Sequence, residues 1–312
     1  MSSLTILVVG ATGQQGSSLL LQLSYYILTA KPEVEKVKVL ALTRSAASPK
    51  AQALPTKYGV LDLTVVEGDT RNPAPIFAAH PDINAVFSYT LPPDEEPQAT
   101  ALVDAAASHT QPVHFVFSSV DRGGEPKSWD TPTDIEHFAQ KHNVEVHLRA
   151  AAEKSNGKLV YTILRPTAFM DNLNPGGAFG VVFAGMWGTM PSSRKLQLVS
   201  VRDIGMFAAK ALLYPSKYQN RAMGLAGDDL TLEEARAIYR RVAGQELPQA
   251  WSIVGWAVRW LLARHVGTMF RWFESDGYGV DIPALKREEE RLQDFEGWLK
   301  ESSKFECGKG QK

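Results

Sequence analysis

Cysteine is almost absent: Cys307, in the polar tail, is the single one in 312 residues. That excludes a disulfide framework and a cysteine-built zinc site, and it fits a reducing, cytoplasmic compartment. Net charge is nearly absent as well, at -1. Nothing in that balance calls for nucleic acid or an anionic membrane surface as partner. Long apolar runs are also missing. The greasiest stretch, Trp251 to Val266, holds Arg259 and Arg264 and is shorter than the roughly 20 residues that span a bilayer. An apolar strand begins at about Leu4, so no signal peptide is expected before the fold. His80, His109, His114 and His265 show no metal-ligand spacing, and neither H-E-x-x-H nor G-x-S-x-G occurs. Neither a metal site nor a serine hydrolase is therefore expected.

What is present is the alternation of an α/β protein. Apolar runs at Leu4–Val9, Val37–Leu42, Leu63–Val66, Ala85–Tyr89, Val113–Ser118 and Leu159–Leu164 read as six strands of a doubly wound parallel sheet. Helix candidates fill the gaps at Gln15–Ala30, Ala47–Tyr58, Glu95–Ser108 and Pro132–Lys154. After Arg165-Pro166 the alternation stops. The reading is a dinucleotide-binding domain over 1–165 and a smaller α/β substrate lobe over 166–312, interspersed with the first. Within that lobe, Pro175-Gly176-Gly177 and the glycine-spaced run to Met190 read as irregular. Val201–Gly205 leads into a helix, Thr231-Leu232-Glu233-Glu234 is a capping box, and Lys286–Glu301 reads as a solvated helix.

The most informative segment is Gly10-Ala11-Thr12-Gly13-Gln14-Gln15-Gly16, directly after the first strand. Glycines there allow a sharp turn and close approach of a pyrophosphate, which the N-terminus of the following helix then attracts. The second strand ends Thr43-Arg44-Ser45, with no acid along the chain until Asp62. An acid at that point would accept from the 2′-OH of NAD, whereas Arg44 and Ser45 suit the 2′-phosphate of NADP(H).

These motifs resemble the NmrA-like family, atypical members of the short-chain dehydrogenase/reductase superfamily, over nearly the full chain. Besides Gly10, Gly13, Gly16 and Thr43-Arg44, the similarity includes Gly68-Asp69 and Phe117-Ser118-Ser119-Val120. Lys141 in a long helix, Tyr161–Pro166, Phe169-Met170 and Asp276–Asp281 belong to it too. The resemblance implies a Rossmann-type fold with Asp69 at the adenine and Thr70, Tyr89 and Thr90 among the residues that bind the cofactor. It further implies Lys141 at the nicotinamide ribose, and Pro166 to Phe169 beside the nicotinamide ring. Some relatives sense dinucleotide redox state and bind regulatory proteins; others are reductases, especially in fungal specialised metabolism.

One departure bears on the chemistry. Typical superfamily members place a proton-donating tyrosine four residues before the lysine, where this chain has His137. A histidine can act as a general acid near neutral pH, but a lone one on a helix is more often a packing residue. Ser119 sits where the superfamily places an oxyanion-polarising hydroxyl, or it simply satisfies loop backbone. Trp251, Trp256, Trp260, Phe270, Trp272, Phe273 and Tyr278 read either as the core of the lobe or as a wall of an apolar pocket. Phe179, Phe183, Met186 and Trp187 are candidates for the opposite wall. The expectation is an NADPH-dependent reductase of a small, largely apolar metabolite, as a monomer or homodimer. Loss of the acid leans it toward C=N over C=O, because an iminium carbon accepts hydride without a proton in the same step. The alternative is a non-catalytic NADP(H) or redox sensor with a regulatory protein partner.

Overall fold

A computed structural model describes residues 3–30, 32–175 and 178–305, so Cys307 and Gly176-Gly177 lie outside the described residues. In chain order the strands are β1 (Ser3–Val9), β2 (Lys36–Thr43), β3 (Asp62–Glu67), β4 (Ala85–Tyr89), β5 (Val113–Ser118), β6 (Leu159–Pro166), β7 (Ala168–Phe169), β8 (Leu196–Val199), β9 (Arg221–Leu225) and β10 (Asp228–Leu230). The main sheet runs β3-β2-β1-β4-β5-β6-β9, and its first six strands pair in parallel. β1 is buried at every position after Ser3. A run of Thr, Ile, Leu and Val covered on both faces is what a central parallel strand requires. Strand order reverses at β1, with β2 on one side and β4 on the other. Open α/β sheets bind ligands beyond the strand ends at such a switch.

The chain divides into two interleaved units. The first comprises 1–120, 139–165 and 204–223, and the second comprises 121–138, 166–203 and 224–312. The chain leaves the first unit at 121–138, again at 166–203 and finally from 224 onward, returning to it at 139–165 and 204–223. The return is visible at Gly205, where a Cβ would strike Ser18 and the Leu19 nitrogen on the helix Gln14–Thr29. The second unit has its own sheet, β10-β8-β7, in which β8 pairs antiparallel to β10 and parallel to β7.

Four local expectations are corrected. Ala47–Tyr58 forms two single turns, Pro49–Gln52 and Leu54–Lys57, each with a proline at its start, where the missing N–H interrupts continuation. The long helix begins at Glu136 rather than Pro132, because Thr133 adopts φ 71° just before it. The segment read as irregular contains the helix Ala178–Trp187. Its glycines mark close packing: a Cβ at Gly180 would press on the Leu173 and Asn174 carbonyls, and one at Gly185 on Ala250. Lys286–Glu301 is two helices' worth of chain, the end of Ile282–Glu288 and Phe295–Glu301, and the latter buries Phe295, Trp298 and Leu299 rather than being solvated. The capping box is formed: Glu234 N–H donates to Thr231 Oγ1 at 3.2 Å, and Thr231 N–H to Glu234 Oε2 at 2.7 Å.

Candidate cofactor site

β1 runs straight into Gly10, whose φ of +61° favours glycine. Gly13 N–H donates back to the Gly10 carbonyl at 2.8 Å, and a Cβ on Gly16 would strike that same carbonyl. Ala11 is buried, Thr12 and Gln15 are half-buried and Gln14 is exposed. The helix Gln14–Thr29 starts from Gly13, which supplies no side-chain cap, and its first turn contains no acid. An α-helix presents unpaired N–H groups and positive potential at that end, so this turn fits a pyrophosphate.

Tyr89, the last residue of β4, lays its phenol over the turn. Its hydroxyl donates to the Gly10 carbonyl at 3.2 Å, and a Cβ at Gly10 or Gly13 would collide with the ring or its oxygen. Burial raises the phenol pKa, and the charge of Arg44 lowers it in part. Arg44 and Ser45 are exposed just past β2.

The sequence reading missed an acid here. β2 and β3 pair in register Thr43↔Glu67, and Glu67 Oε2 accepts from Ala46 N–H at 2.7 Å. A scan along the chain after β2 finds no acid, because this one arrives across the sheet. Asp69 is exposed and accepts from Arg71 N–H at 2.9 Å, and Thr70 is half-buried. Beside them lies a cavity of about 270 Å³ lined by Gly68, Asp69, Asn72 and Ile76 among others.

Lys141 is already engaged. Its Nζ lies 2.5 Å from Glu95 Oε2 and donates to Thr90 Oγ1 at 2.7 Å, while the Thr90 hydroxyl donates to the same Glu95 oxygen at 2.5 Å. Glu95 is 1% exposed, and its Oε1 has no partner among the described residues. It opens the helix Glu95–Ala107, whose first N–H groups donate to Gln140 Oε1 from the lysine's own helix. Ser119 is committed too: its hydroxyl donates to Glu145 Oε1, and Glu145 also pairs with buried Arg165 at 2.7 Å. As placed, the Ser119 hydroxyl donates to a carboxylate. Glu95 and Glu145 were both missed from sequence.

The remaining expected residues belong to the second unit. His137 is half-buried with its ring 4.7 Å from that of Phe138. The Pro166 carbonyl accepts from Asp121 N–H at 3.1 Å, and Phe169 pairs with Val199 in the small sheet. Asp281 and Asp276 of the late motif are structural: Asp281 caps the helix Ile282–Glu288, and Asp276 pairs with Lys127 at 2.5 Å. The aromatic cluster divides. Phe270, Trp272 and Phe273 are buried, as are Phe183, Met186 and Trp187, whereas Trp251, Trp256, Trp260 and Phe179 are exposed. A cavity of about 280 Å³ in this unit is polar, lined by Arg194, Lys195, Asp229, Asp276 and Tyr278 among others. Among the described residues no group of His, Cys, Asp and Glu is arranged to hold a metal ion. No described helix is long and apolar enough to cross a membrane.

A parallel sheet reversing at β1, with a glycine turn leading into an uncapped helix, defines a Rossmann-type α/β protein. The chain belongs to the NmrA-like family, whose profile matches residues 2–299. The fold is shared with NmrA, a negative transcriptional regulator solved in complex with NAD. That match has a TM-score of 0.70, 17% identity, and coverage of 97% of this chain and 96% of that one. QOR2 from Escherichia coli, an NADPH-dependent quinone oxidoreductase complexed with NADPH, matches at TM-score 0.69 and 17% identity, over 95% of this chain and 99% of that one. A structure from work on pinoresinol-lariciresinol and phenylcoumaran benzylic ether reductases matches at TM-score 0.62 and 16% identity, over 96% and 99%. No curated protein matches the chain in sequence.

Proposed function

We propose that this chain is an NADPH-dependent reductase of a small, largely apolar metabolite, acting on C=N in preference to C=O. The carrying observation is the state of the groups that carbonyl reduction would use. The Ser119 proton goes to Glu145, the Lys141 ammonium is held by Glu95 and Thr90, and His137 stands where a tyrosine would. Carbonyl reduction builds negative charge on oxygen and gains from a positioned acid. An iminium is already cationic, so hydride at its carbon gives a neutral amine and no side chain need protonate it in that step.

In this reading a bound NADPH supplies the hydride, and the chain supplies binding and orientation. The N–H groups after Gly13 take the pyrophosphate, Arg44 and Ser45 the 2′-phosphate, and Asp69 and Thr70 the adenine. At the nicotinamide ribose, Lys141 donates to a hydroxyl and the buried, unpartnered Oε1 of Glu95 accepts from one. The uncapped helix start and the unpartnered Glu95 oxygen both favour such a ligand. Pro166 to Phe169 are assigned to the nicotinamide side.

The test is NADPH oxidation with panels of cyclic imines and of ketones, on wild type and on His137→Ala and Lys141→Ala. Turnover of imines that survives His137→Ala and falls in Lys141→Ala supports the proposal. Turnover confined to ketones, with a loss of about 10²–10⁴ in His137→Ala, makes His137 a general acid and removes the C=N preference. Tight NADPH binding with no turnover of either panel assigns the sensor role instead, which the missing acid also suits.

A further inference from the structure

The helix Ser252–Leu261 is amphipathic in the wrong sense for a helix on a water-facing surface. Its buried residues are Gly255 and Arg259. A Cβ on Gly255 would run into the Gly185 carbonyl, so this side is pressed against the helix Ala178–Trp187. Arg259 is satisfied on that side, 2.7 Å from Glu274 and 2.6 Å from Thr189 Oγ1. The large apolar side chains point the other way: Trp251 is 82% exposed, Trp260 78%, Ile253 72% and Leu261 70%, with Trp256 and Leu262 beside them. Solvated helices put their apolar stripe inward, and contiguous exposed apolar surface of this kind marks an interaction site.

We propose that this face is a membrane-interfacial anchor that seats the protein on a lipid bilayer containing anionic headgroups. Composition and charge select lipid over a protein partner. Three of the exposed side chains are tryptophans, the residue whose amphipathic ring settles at the headgroup level. From residue 247 to 273 the chain has no Asp or Glu, but it has Arg259, Arg264 and Arg271. With Arg259 paired inward, Arg264 and Arg271 are exposed in the chain that follows this helix, the cations an interfacial segment uses to meet lipid phosphates. At 10 residues the helix is about 15 Å long, half of what spans a bilayer but suited to lying in its surface. The overall charge of -1 conceals this local asymmetry. The proposal is independent of the reductase reading, since it invokes no cofactor and no turnover.

The test is co-sedimentation of the full chain with vesicles of phosphatidylcholine, and of phosphatidylcholine mixed with phosphatidylserine, read with tryptophan quenching by brominated lipid. Binding should be stronger on the mixed vesicles, with quenched and blue-shifted emission. The double variant Trp260→Glu, Leu261→Glu alters exposed side chains only, and its folding is checked by circular dichroism. It should lower lipid partitioning about tenfold or more. Arg264→Glu with Arg271→Glu should remove the gain from phosphatidylserine. Absence of binding to either vesicle overturns the proposal, as does binding that the double variant leaves unchanged. A dimer in solution that the double variant dissociates, with no vesicle binding, assigns the face to a second copy and overturns it as well.

Discussion

Replacing Lys141 by methionine tests the arrangement at the heart of the site. Glu95 is 1% exposed on its side chain and Lys141 12%, so the variant leaves a carboxylate desolvated, with the Thr90 hydroxyl as its remaining side-chain donor there. Breaking a buried ion pair from one side typically costs about 3–5 kcal/mol. Glu95 is the first residue of its helix, where the dipole favours an anion by about 0.3–1 kcal/mol. Together these set the expected loss for Lys141→Met at about 2–4 kcal/mol. Adding Glu95→Gln removes the stranded charge while keeping its shape and its acceptor for Thr90. The double variant should therefore recover about 2 kcal/mol of that loss. Urea unfolding with an unchanged m value reads both numbers. NADPH affinity, measured by calorimetry on the same proteins, should stay weakened in the double variant, since neither ribose contact is restored. A loss below about 1 kcal/mol for Lys141→Met, or a double variant no more stable than the single, would refute a compensated buried pair.

Arg44→Ala should weaken NADPH binding by about 1.5–3 kcal/mol, the worth of a charged hydrogen bond, and leave NADH nearly untouched. Glu67→Gln should shift preference further toward NADPH by removing the negative charge next to Ala46; equal changes for both cofactors in calorimetry would disprove either role. Ser119→Ala should lower stability by about 1.5–3 kcal/mol through the lost bond to Glu145, with kcat changed by only a few-fold; a kcat loss beyond about 10² would restore a catalytic serine. Burial lowers the His114 pKa from 6.5 to about 4. The unfolded chain protonates first, so that stability is present above pH 6.5 and falls by about 3 kcal/mol toward pH 4. Asp203 runs oppositely: burial raises it from 3.8 to about 6, so its stabilisation is present at low pH and is lost as pH rises to 6. Wild type should thus show a flatter pH–stability curve between 4 and 6 than either His114→Gln or Asp203→Asn.

The residues that sequence reading recovered are those whose reason is local. β1, β4 and β5 announce themselves because a parallel strand covered on both faces needs an unbroken apolar run, and β3, at the sheet edge and without a buried residue, is legible from its short Leu63–Val66 run alone. The glycine turn announces itself because Gly10, Gly13 and Gly16 each answer to atoms within the turn or at the adjoining strand end. What stayed hidden is what arrives from a distance. Glu67 reaches Ala46 through strand register, Glu95 meets Lys141 from another helix, and Glu145 meets Ser119 and Arg165 inside the sheet's cover. Each of these acids looks, in a linear reading, like an ordinary surface charge. The glycines of Ala178–Trp187 misled for the converse reason. Glycine spacing reads as a broken backbone, whereas Gly180 and Gly185 are small so that another backbone can come close.

Charge near zero and average hydropathy describe the chain as a whole, and both averages conceal how the acids are distributed. In the first unit, acids are drawn inward onto the groups that hydride chemistry would otherwise use: Glu95 on Lys141 and Glu145 on Ser119. On the proposed reading, a site so neutralised would hold and align a dinucleotide while offering little proton-donating capacity of its own, which suits an already cationic acceptor. In the second unit the reverse holds, since residues 247–273 contain no acid and the helix in that stretch faces its tryptophans outward. Arg259 is paired with Glu274, just beyond that stretch. What is left facing outward is apolar and basic together, and water is a poor partner for that combination.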